Sequence, residues 1–158
     1  RTLCVHLGYA IGTCAHMVEL RRTRSGRFSE TDAVTLHELA DAAVFAREGD
    51  PEPLQRMIHP PESAVADLPM VIIRDTAVDA VCRGAVLAGV GVREKAGGFA
   101  EGETVAIMTE RGELVGLGRS LLGSSALRPG EPGFAVAPTT VLMPPGTYPR
   151  GWKTHAGR

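Results

Sequence analysis

The chain has 158 residues, 44% of them hydrophobic, with a mean hydropathy of +0.02. That is one ordinary domain or two small ones with material for a real core, which excludes wholesale disorder; no apolar run reaches the roughly eighteen residues of a membrane helix. Seventeen basic residues against eighteen acidic ones give a formal charge of −1, so bulk charge selects no partner. That balance hides a segregation: residues 1–28 carry +4, residues 29–67 carry −7, and the remainder carries +2. Three cysteines, Cys4, Cys14 and Cys82, are too few and odd in number for a disulfide scaffold, which fits a reducing cytoplasm. The chain opens at Arg1, without an initiator methionine and inside a patterned segment, and is expected to be a piece of something longer.

Residues 2–11 place Leu3, Leu7 and Ile11 on one helical face, with Thr2 as the expected cap and Gly12 as the stop. From His16 the alternation of Val18 and Leu20 with Glu19 and Arg21 predicts a strand with a basic end, closed by Ser25-Gly26. Ser29-x-x-Asp32 predicts a capping box for a helix running through Val34, Leu36, Leu39 and Ala43 to about Ala46. A short helix is expected around Leu54–Ile58, and Pro60–Pro69 reads as a linker. Beyond it the texture changes. Met70–Ile73 reads as a buried strand, Thr76–Cys82 as a short helix ending at Gly84, and Val86–Val92 as a strand interrupted by Gly89 and Gly91. Glu103–Thr109, Glu113–Leu122 and Ala135–Met143 complete the strands, with a hairpin turn at Arg111-Gly112. Five or six short strands and one helix in this space predict a small, partly open barrel.

Few motifs carry chemistry. Cys4-x-His6 and Cys14-x-His16 offer four zinc-type ligands, but positions i and i+2 diverge on a helix, so buried cysteines and ordinary histidines are the better reading. His37 and His59 have no nucleophile motif near them, and the glycines match neither the dinucleotide fingerprint nor the phosphate-loop spacing. No metal or organic cofactor is expected. The cluster Arg21-Arg22-Thr-Arg24-Ser-Gly26 is the stronger signal: arginines on an extended segment, beside free backbone N–H groups, suit phosphate or an RNA backbone. A solvated edge explains it equally well. In the second half, Arg74, Arg83 and Arg93 around glycine turns suit a single-stranded nucleic acid.

Taken together, Arg1-Thr-Leu-Cys-Val-His-Leu-Gly8, Gly12-x-x-Ala15-His16-Met-x-Glu19-Leu-Arg-Arg-Thr-Arg-Ser-Gly26 and Thr35-Leu-His-Glu-Leu-x-Asp41-Ala resemble the C-terminal part of the catalytic domain of TruB-type pseudouridine synthases. The closest wording is that of the H/ACA guide-RNA enzymes of the dyskerin type. Asp75–Ala85 and Glu110–Gly118 resemble the PUA domain that follows in those proteins, and Thr147-Tyr-Pro-Arg-x-Trp152 resembles their closing motif. The lack of a lysine-rich stretch after Trp152 points to an archaeal member.

The resemblance implies an α+β fold: the end of the catalytic domain over 1–67, a small β-barrel PUA domain over 68–143, and a tail over 144–158 returning toward the catalytic domain. It implies isomerisation of uridine to pseudouridine in rRNA or tRNA, with an aspartate nucleophile in a G-x-L-D-P motif that these residues do not contain. Arg1 matches the arginine that pairs with that aspartate, and Leu20 the leucine that packs near the flipped uracil. Arg21, Arg22 and Arg24 follow as RNA contacts. The PUA domain implies a hold on a guide RNA's 3′ ACA end around Arg83-Gly84-Ala85, with Arg74 nearby. The family's usual Pro-Gly at the next strand is Ala88-Gly89 here, which predicts a looser turn. Implied partners are an H/ACA guide RNA, a substrate RNA and small accessory ribonucleoprotein subunits, with no membrane. Two rivals stand beside this reading: a guide-independent tRNA pseudouridine synthase, and a stand-alone RNA-binding or ribosome-assembly module.

Overall fold

The computed structural model describes residues 1–150, which fall into two compact units divided between Met57 and Ile58.

In the first unit, helix α1 spans Thr2–Ala10 as expected, but Arg1 rather than Thr2 is the residue before its first turn, and no side chain caps it. The helix closes where Gly12 donates to the Tyr9 carbonyl (3.2 Å) and Thr13 to that of Gly8 (2.9 Å). The chain then folds back onto α1, and a Cβ on buried Gly8 would stand only 2.7 Å from the Ala15 nitrogen. The predicted strand beyond His16 does not form. Only Arg24–Ser25 (β1) pairs, with Phe28–Ser29 (β2), across the two-residue loop Gly26-Arg27. Gly26 has φ 58° while Arg27 stays at negative φ, the pattern of a II′ hairpin turn. An extended segment becomes a strand only where a neighbour takes its backbone hydrogen bonds; among the described residues 16–22 have none, and Thr23 has a single one, its carbonyl accepting from Glu30 N–H (2.9 Å). Val18 and Leu20 accordingly stand 88% and 75% exposed.

The Ser29/Asp32 capping box exists but closes a single 3₁₀ turn, Glu30–Asp32. Helix α2, Leu36–Arg47, has its own box, which the sequence reading missed. Thr35 N–H donates to the Glu38 carboxylate (2.7 Å), and Glu38 N–H donates to the Thr35 hydroxyl (3.2 Å). The Thr35 N–H and the Thr35 hydroxyl, which donates to the same carboxylate oxygen at 2.8 Å, hold the Glu38 carboxyl below its ordinary range. Leu39, Ala42, Ala43 and Ala46, at the i, i+3, i+4, i+7 spacing, form the covered stripe of α2, which packs on α3 (Glu52–Met57).

The second unit is built on a six-stranded sheet in the order β4-β8-β7-β6-β3-β5. The strands are β3 (Met70–Ile73), β4 (Leu87–Ala88), β5 (Val92–Ala96), β6 (Thr104–Thr109), β7 (Leu114–Ser120) and β8 (Phe134–Val141). All neighbours are antiparallel except β3 and β6. The predicted single strand Val86–Val92 is two strands on opposite edges, joined by one 3₁₀ turn, Gly89–Gly91. A flat sheet would hold those edges about 24 Å apart, whereas the four residue steps between Ala88 and Val92 reach about 14 Å at most. The sheet therefore curls into a barrel.

The run Met70–Ile73 and its partner Val105–Met108 are buried on both faces. Val71, Ile73, Val105 and Ile107 point into the barrel with Val115, Val136 and Leu127. Met70, Ile72, Ala106 and Met108 face outward, beneath Val65, Leu68 and Leu114. Val65 lies on a one-turn helix, α4 (Glu62–Val65), whose Glu62 carboxylate accepts from Leu114 N–H (2.7 Å). The stretch that read as a linker is thus a docked cover over the outer face of the sheet. Tyr148, 6% exposed, joins the interior cluster, its hydroxyl donating to the Glu113 carboxylate while Arg111 lies 5.5 Å over its ring. That bond holds Glu113 below, and the Tyr148 phenol above, their ordinary ranges. Trp152 of the closing motif lies outside the described residues. Among the described residues no helix is long and apolar enough to cross a membrane.

Candidate nucleic-acid interface

Helix α5, Asp75–Cys82, turns Val78, Val81 and Cys82 inward and leaves Thr76 and Ala80 exposed, with Arg83 following on the same side. Gly84, at φ 86°, lets the chain leave the helix sharply. Gly84 N–H donates to Val81 (2.8 Å) and Ala85 N–H to Ala80 (3.0 Å), so the next residues run straight into β4. Between α5 and that returning chain lies a groove of about 360 Å³, lined by Thr76, Ala77 and Ala80 on one wall and Val86, Ala88 and Val90 on the other. Its floor depends on Gly91, where a Cβ would meet Ala77 and Leu87 at 2.9 and 3.1 Å. Val86 and Val90 are 42% and 52% exposed. The groove is apolar, walled by small side chains, and open to a flat ligand.

Arg74 and Arg83 bracket the helix that forms the first wall, about 13 Å apart along its axis. Arg74 precedes the first turn, exposed, and makes no ion pair among the described residues. Arg83 is committed: its Nε and Nη2 donate to the two oxygens of Asp79 at 3.0 and 3.2 Å, and 46% of its side chain remains exposed. Asp79 is the residue that sequence reasoning missed. It is 5% exposed and also accepts from Gly146 N–H (2.9 Å), with Arg150 at 3.7 Å. It ties the end of α5 to the segment after β8. The available signal was its i, i+4 spacing to Arg83 on a helix whose other inward residues are apolar.

The Arg83 hydrogen bonds hold the Asp79 carboxyl below the 3.8 of a free aspartate. A depressed folded value means the stabilisation is complete above the unfolded pKa of about 3.9 and disappears as pH falls through the lower folded value. Thermal melts from pH 7 to pH 2.5 are expected to show a steeper loss of stability below pH 4 for the unaltered chain than for Asp79→Asn. Parallel curves would remove Asp79 from the acid response.

The departure at Ala88-Gly89 leaves no loose turn. Gly89 N–H donates to Gly133 (2.8 Å) and the Gly89 carbonyl accepts from Gly130 (2.9 Å), so the loop before β8 is laced to the groove's far wall.

In the first unit, Arg1 is exposed at the start of α1 and Leu20 lies in the irregular segment after it. Arg21 pairs with Glu30 (2.8 Å), Arg24 Nε donates to the Gly26 carbonyl (2.9 Å) in the hairpin turn, and Arg22 is exposed. The arginine cluster is thus gathered around β1–β2 and partly satisfied there. Cys4, Cys14 and Cys82 are free thiols. Among the described residues no group of three or more His, Cys, Asp and Glu side chains could hold a metal ion.

Comparison with known proteins identifies the class of this curled barrel with its arginine-flanked, glycine-floored groove. Residues 69–142 match the family model of the PUA domain. Residues 1–66 match that of the tRNA pseudouridylate synthase B C-terminal domain, and the chain belongs to this TruB family of pseudouridine synthases. The Methanosarcina acetivorans protein named "Probable tRNA pseudouridine synthase B" is 49% identical over 153 residues, 96% of this chain and 45% of that protein. The Methanocaldococcus jannaschii protein of the same name is 46% identical over 97% of this chain and 46% of its own length. Among solved structures, an archaeal box H/ACA sRNP Nop10-Cbf5 complex aligns with a TM-score of 0.82 at 43% identity, over 96% of this chain and 50% of the other. An H/ACA RNP bound to a substrate RNA containing 2′-deoxyuridine aligns at 0.79 and 44% identity, over 96% and 49%. The chain spans about half the length of the relatives it matches.

Proposed function

We propose that this chain is the RNA-holding C-terminal part of an H/ACA-type RNA pseudouridine synthase, an isomerase acting on rRNA or tRNA in the cytoplasm. The observation that carries the reading is the α5–β4 groove, bracketed by Arg74 and Arg83, in a chain 44% identical to the protein of an H/ACA RNP bound to its substrate RNA. In this reading the groove and the turn Arg83-Gly84-Ala85 hold the unpaired 3′ end of a guide RNA. Small side chains and glycine let bases approach the backbone, Arg74 meets phosphate, and Arg83, already oriented by Asp79, keeps part of its guanidinium for a second phosphate.

The first unit supplies one side of the catalytic pocket. The Arg1 guanidinium holds the nucleophilic aspartate ionised through a bidentate contact, and Leu20 covers the flipped uracil, which accounts for its exposure here. Arg21, Arg22 and Arg24 run along the RNA backbone. The aspartate itself belongs to a motif that these 158 residues do not contain. Accessory subunits of the kind named in the related complexes, Nop10 and Gar1, are the expected protein partners.

A second reading, a guide-independent tRNA synthase, is favoured by the names of the archaeal relatives. Fluorescence anisotropy separates the two, using the 158-residue chain, a hairpin ending in an unpaired ACA, and the same hairpin with its tail scrambled, at two salt concentrations. Tighter binding of the ACA hairpin is expected. Equal, salt-sensitive binding of both would leave a generic RNA surface and favour the tRNA reading, and absence of binding to either would count against an RNA-holding role.

A further inference from the structure

Among its described residues the second unit leaves one aromatic side chain on its surface. Phe99 and Tyr148 are each 6% exposed, inside the barrel cluster, whereas Phe134 is 67% exposed. Single exposed apolar side chains are ordinary, so what distinguishes Phe134 is its position. Phe134 opens β8, and its cross-strand partner on β4 is Ala88, a lining residue of the groove. The ladder shifts register between Leu87 and Ala88, and the pairing sets the backbone of Phe134 beside Ala88, so the exposed ring starts from the groove's rim.

That position is fixed. The loop before Phe134 is bonded twice to Gly89, through Gly133 and Gly130. A Cβ on Gly89 would come within 2.5 Å of the Glu131 carbonyl oxygen, so the loop and the groove wall touch with no room between them. Arg128 borders the cleft beneath the ring, which at about 40 Å³ admits water but no base. An exposed ring, a neighbouring rim of small apolar residues, and exposed guanidinium groups at Arg83 and Arg128 make a surface suited to a base and to phosphates.

We infer that Phe134 is a stacking platform for an unpaired nucleobase of the RNA strand that occupies the α5–β4 groove, and so a binding residue of that interface. The inference rests on the RNA-holding function proposed above and adds to it a particular contact that is independent of charge. Stacking on an aromatic ring depends little on base identity and not at all on counterion release, so its loss has a signature distinct from that of an arginine.

The test uses the 158-residue chain and a fluorescein-labelled hairpin with an unpaired 3′ ACA tail, titrated at several salt concentrations. Phe134→Ala is expected to weaken binding by about 5- to 150-fold with the slope of log K against log salt unchanged. Phe134→Trp is expected to bind within about twofold of the unaltered chain, since indole stacks as well as phenyl. Because the side chain is exposed, thermal melts of both variants should match the parent. Binding of Phe134→Ala within twofold of the parent overturns the stacking role and points to a protein partner on this ring. A loss that Trp does not restore, or that comes with a shallower salt slope, overturns it as well and makes Phe134 a prop for the loop. If the unaltered chain fails to bind the hairpin, the RNA-holding function falls and this inference with it. If the parent binds and Phe134→Ala binds equally, only the stacking falls.

Discussion

Gly116→Ala is expected to cost the second unit about 3 kcal/mol and lower its melting temperature by about 15 °C. Gly116 is buried on β7, opposite Ile107 of β6 on one side and Val141 of β8 on the other. A Cβ there would overlap the Thr140 carbonyl oxygen and stand 3.1 Å from Val141 Cα. Both obstacles are backbone of a paired strand, so relief requires β8 to move away from β7, not merely a side chain to rotate. Gly98→Ala is the matching control, because nothing lies within 4 Å of the added atom and the residue has no positive φ. It is expected to change stability by less than about 0.5 kcal/mol. Urea denaturation of the two variants against the parent decides the matter; equal stability would mean that β7 and β8 are not packed as closely as described.

The second large effect concerns chemistry and depends on the proposed function. In a whole synthase carrying this chain as its C-terminal part, Arg1→Ala is expected to reduce the rate of pseudouridine formation by about 10²- to 10³-fold, the usual consequence of removing one preorganised charge partner from a reacting group. Affinity for RNA should change little, because Arg1 would act on the aspartate and not on the phosphates. Arg1→Lys is expected to recover only part of the rate, since an ammonium cannot reproduce the two-pronged contact. Single-turnover rates alongside binding isotherms would separate the two effects. Activity within a factor of two of the parent would remove Arg1 from the pocket, and a parallel loss of affinity would make it an RNA contact.

The barrel strands were legible because burial on both faces writes itself as uninterrupted apolar runs, as in Met70–Ile73 and Val105–Met108. The apolar faces of the first unit were legible too, but not their fate. Leu3, Leu7 and Ile11 do share one side of α1, yet they stand 70%, 55% and 75% exposed. A period in the sequence locates a face and says nothing of what covers it. The misread elements depend on partners far away in the chain. Whether Val86–Val92 is one strand or two depends on Leu87 pairing with Val136 while Val92 pairs with Ile73. Likewise, Val65 and Leu68 gave too few apolar positions amid prolines to show that Pro60–Pro69 is docked. At the proposed site, the turn at Gly84 was legible from the helix stop, whereas its assignment to RNA came from the family resemblance. Asp79 looked like an ordinary helix-surface acid although its i, i+4 spacing to Arg83 was there to read, and Phe134 lay just before the last predicted strand, Ala135–Met143, with nothing to mark it.

The shortness of the Gly89–Gly91 link has a thermodynamic side. Of the three residues that join the two edges of the barrel, Val90 and Gly91 also line the groove, and Gly89 anchors the loop before Phe134. Any ligand seated there bears on the seam of the barrel, so occupancy and closure are linked equilibria. A bound strand opposes parting of the edges by the logarithm of its concentration over its dissociation constant. Conversely, an edge that frays also releases the ligand. Amide exchange at β4 and β5 would therefore slow with saturation more than exchange at the inner strands β6 and β7, and the module would act as a clasp that its own cargo tightens.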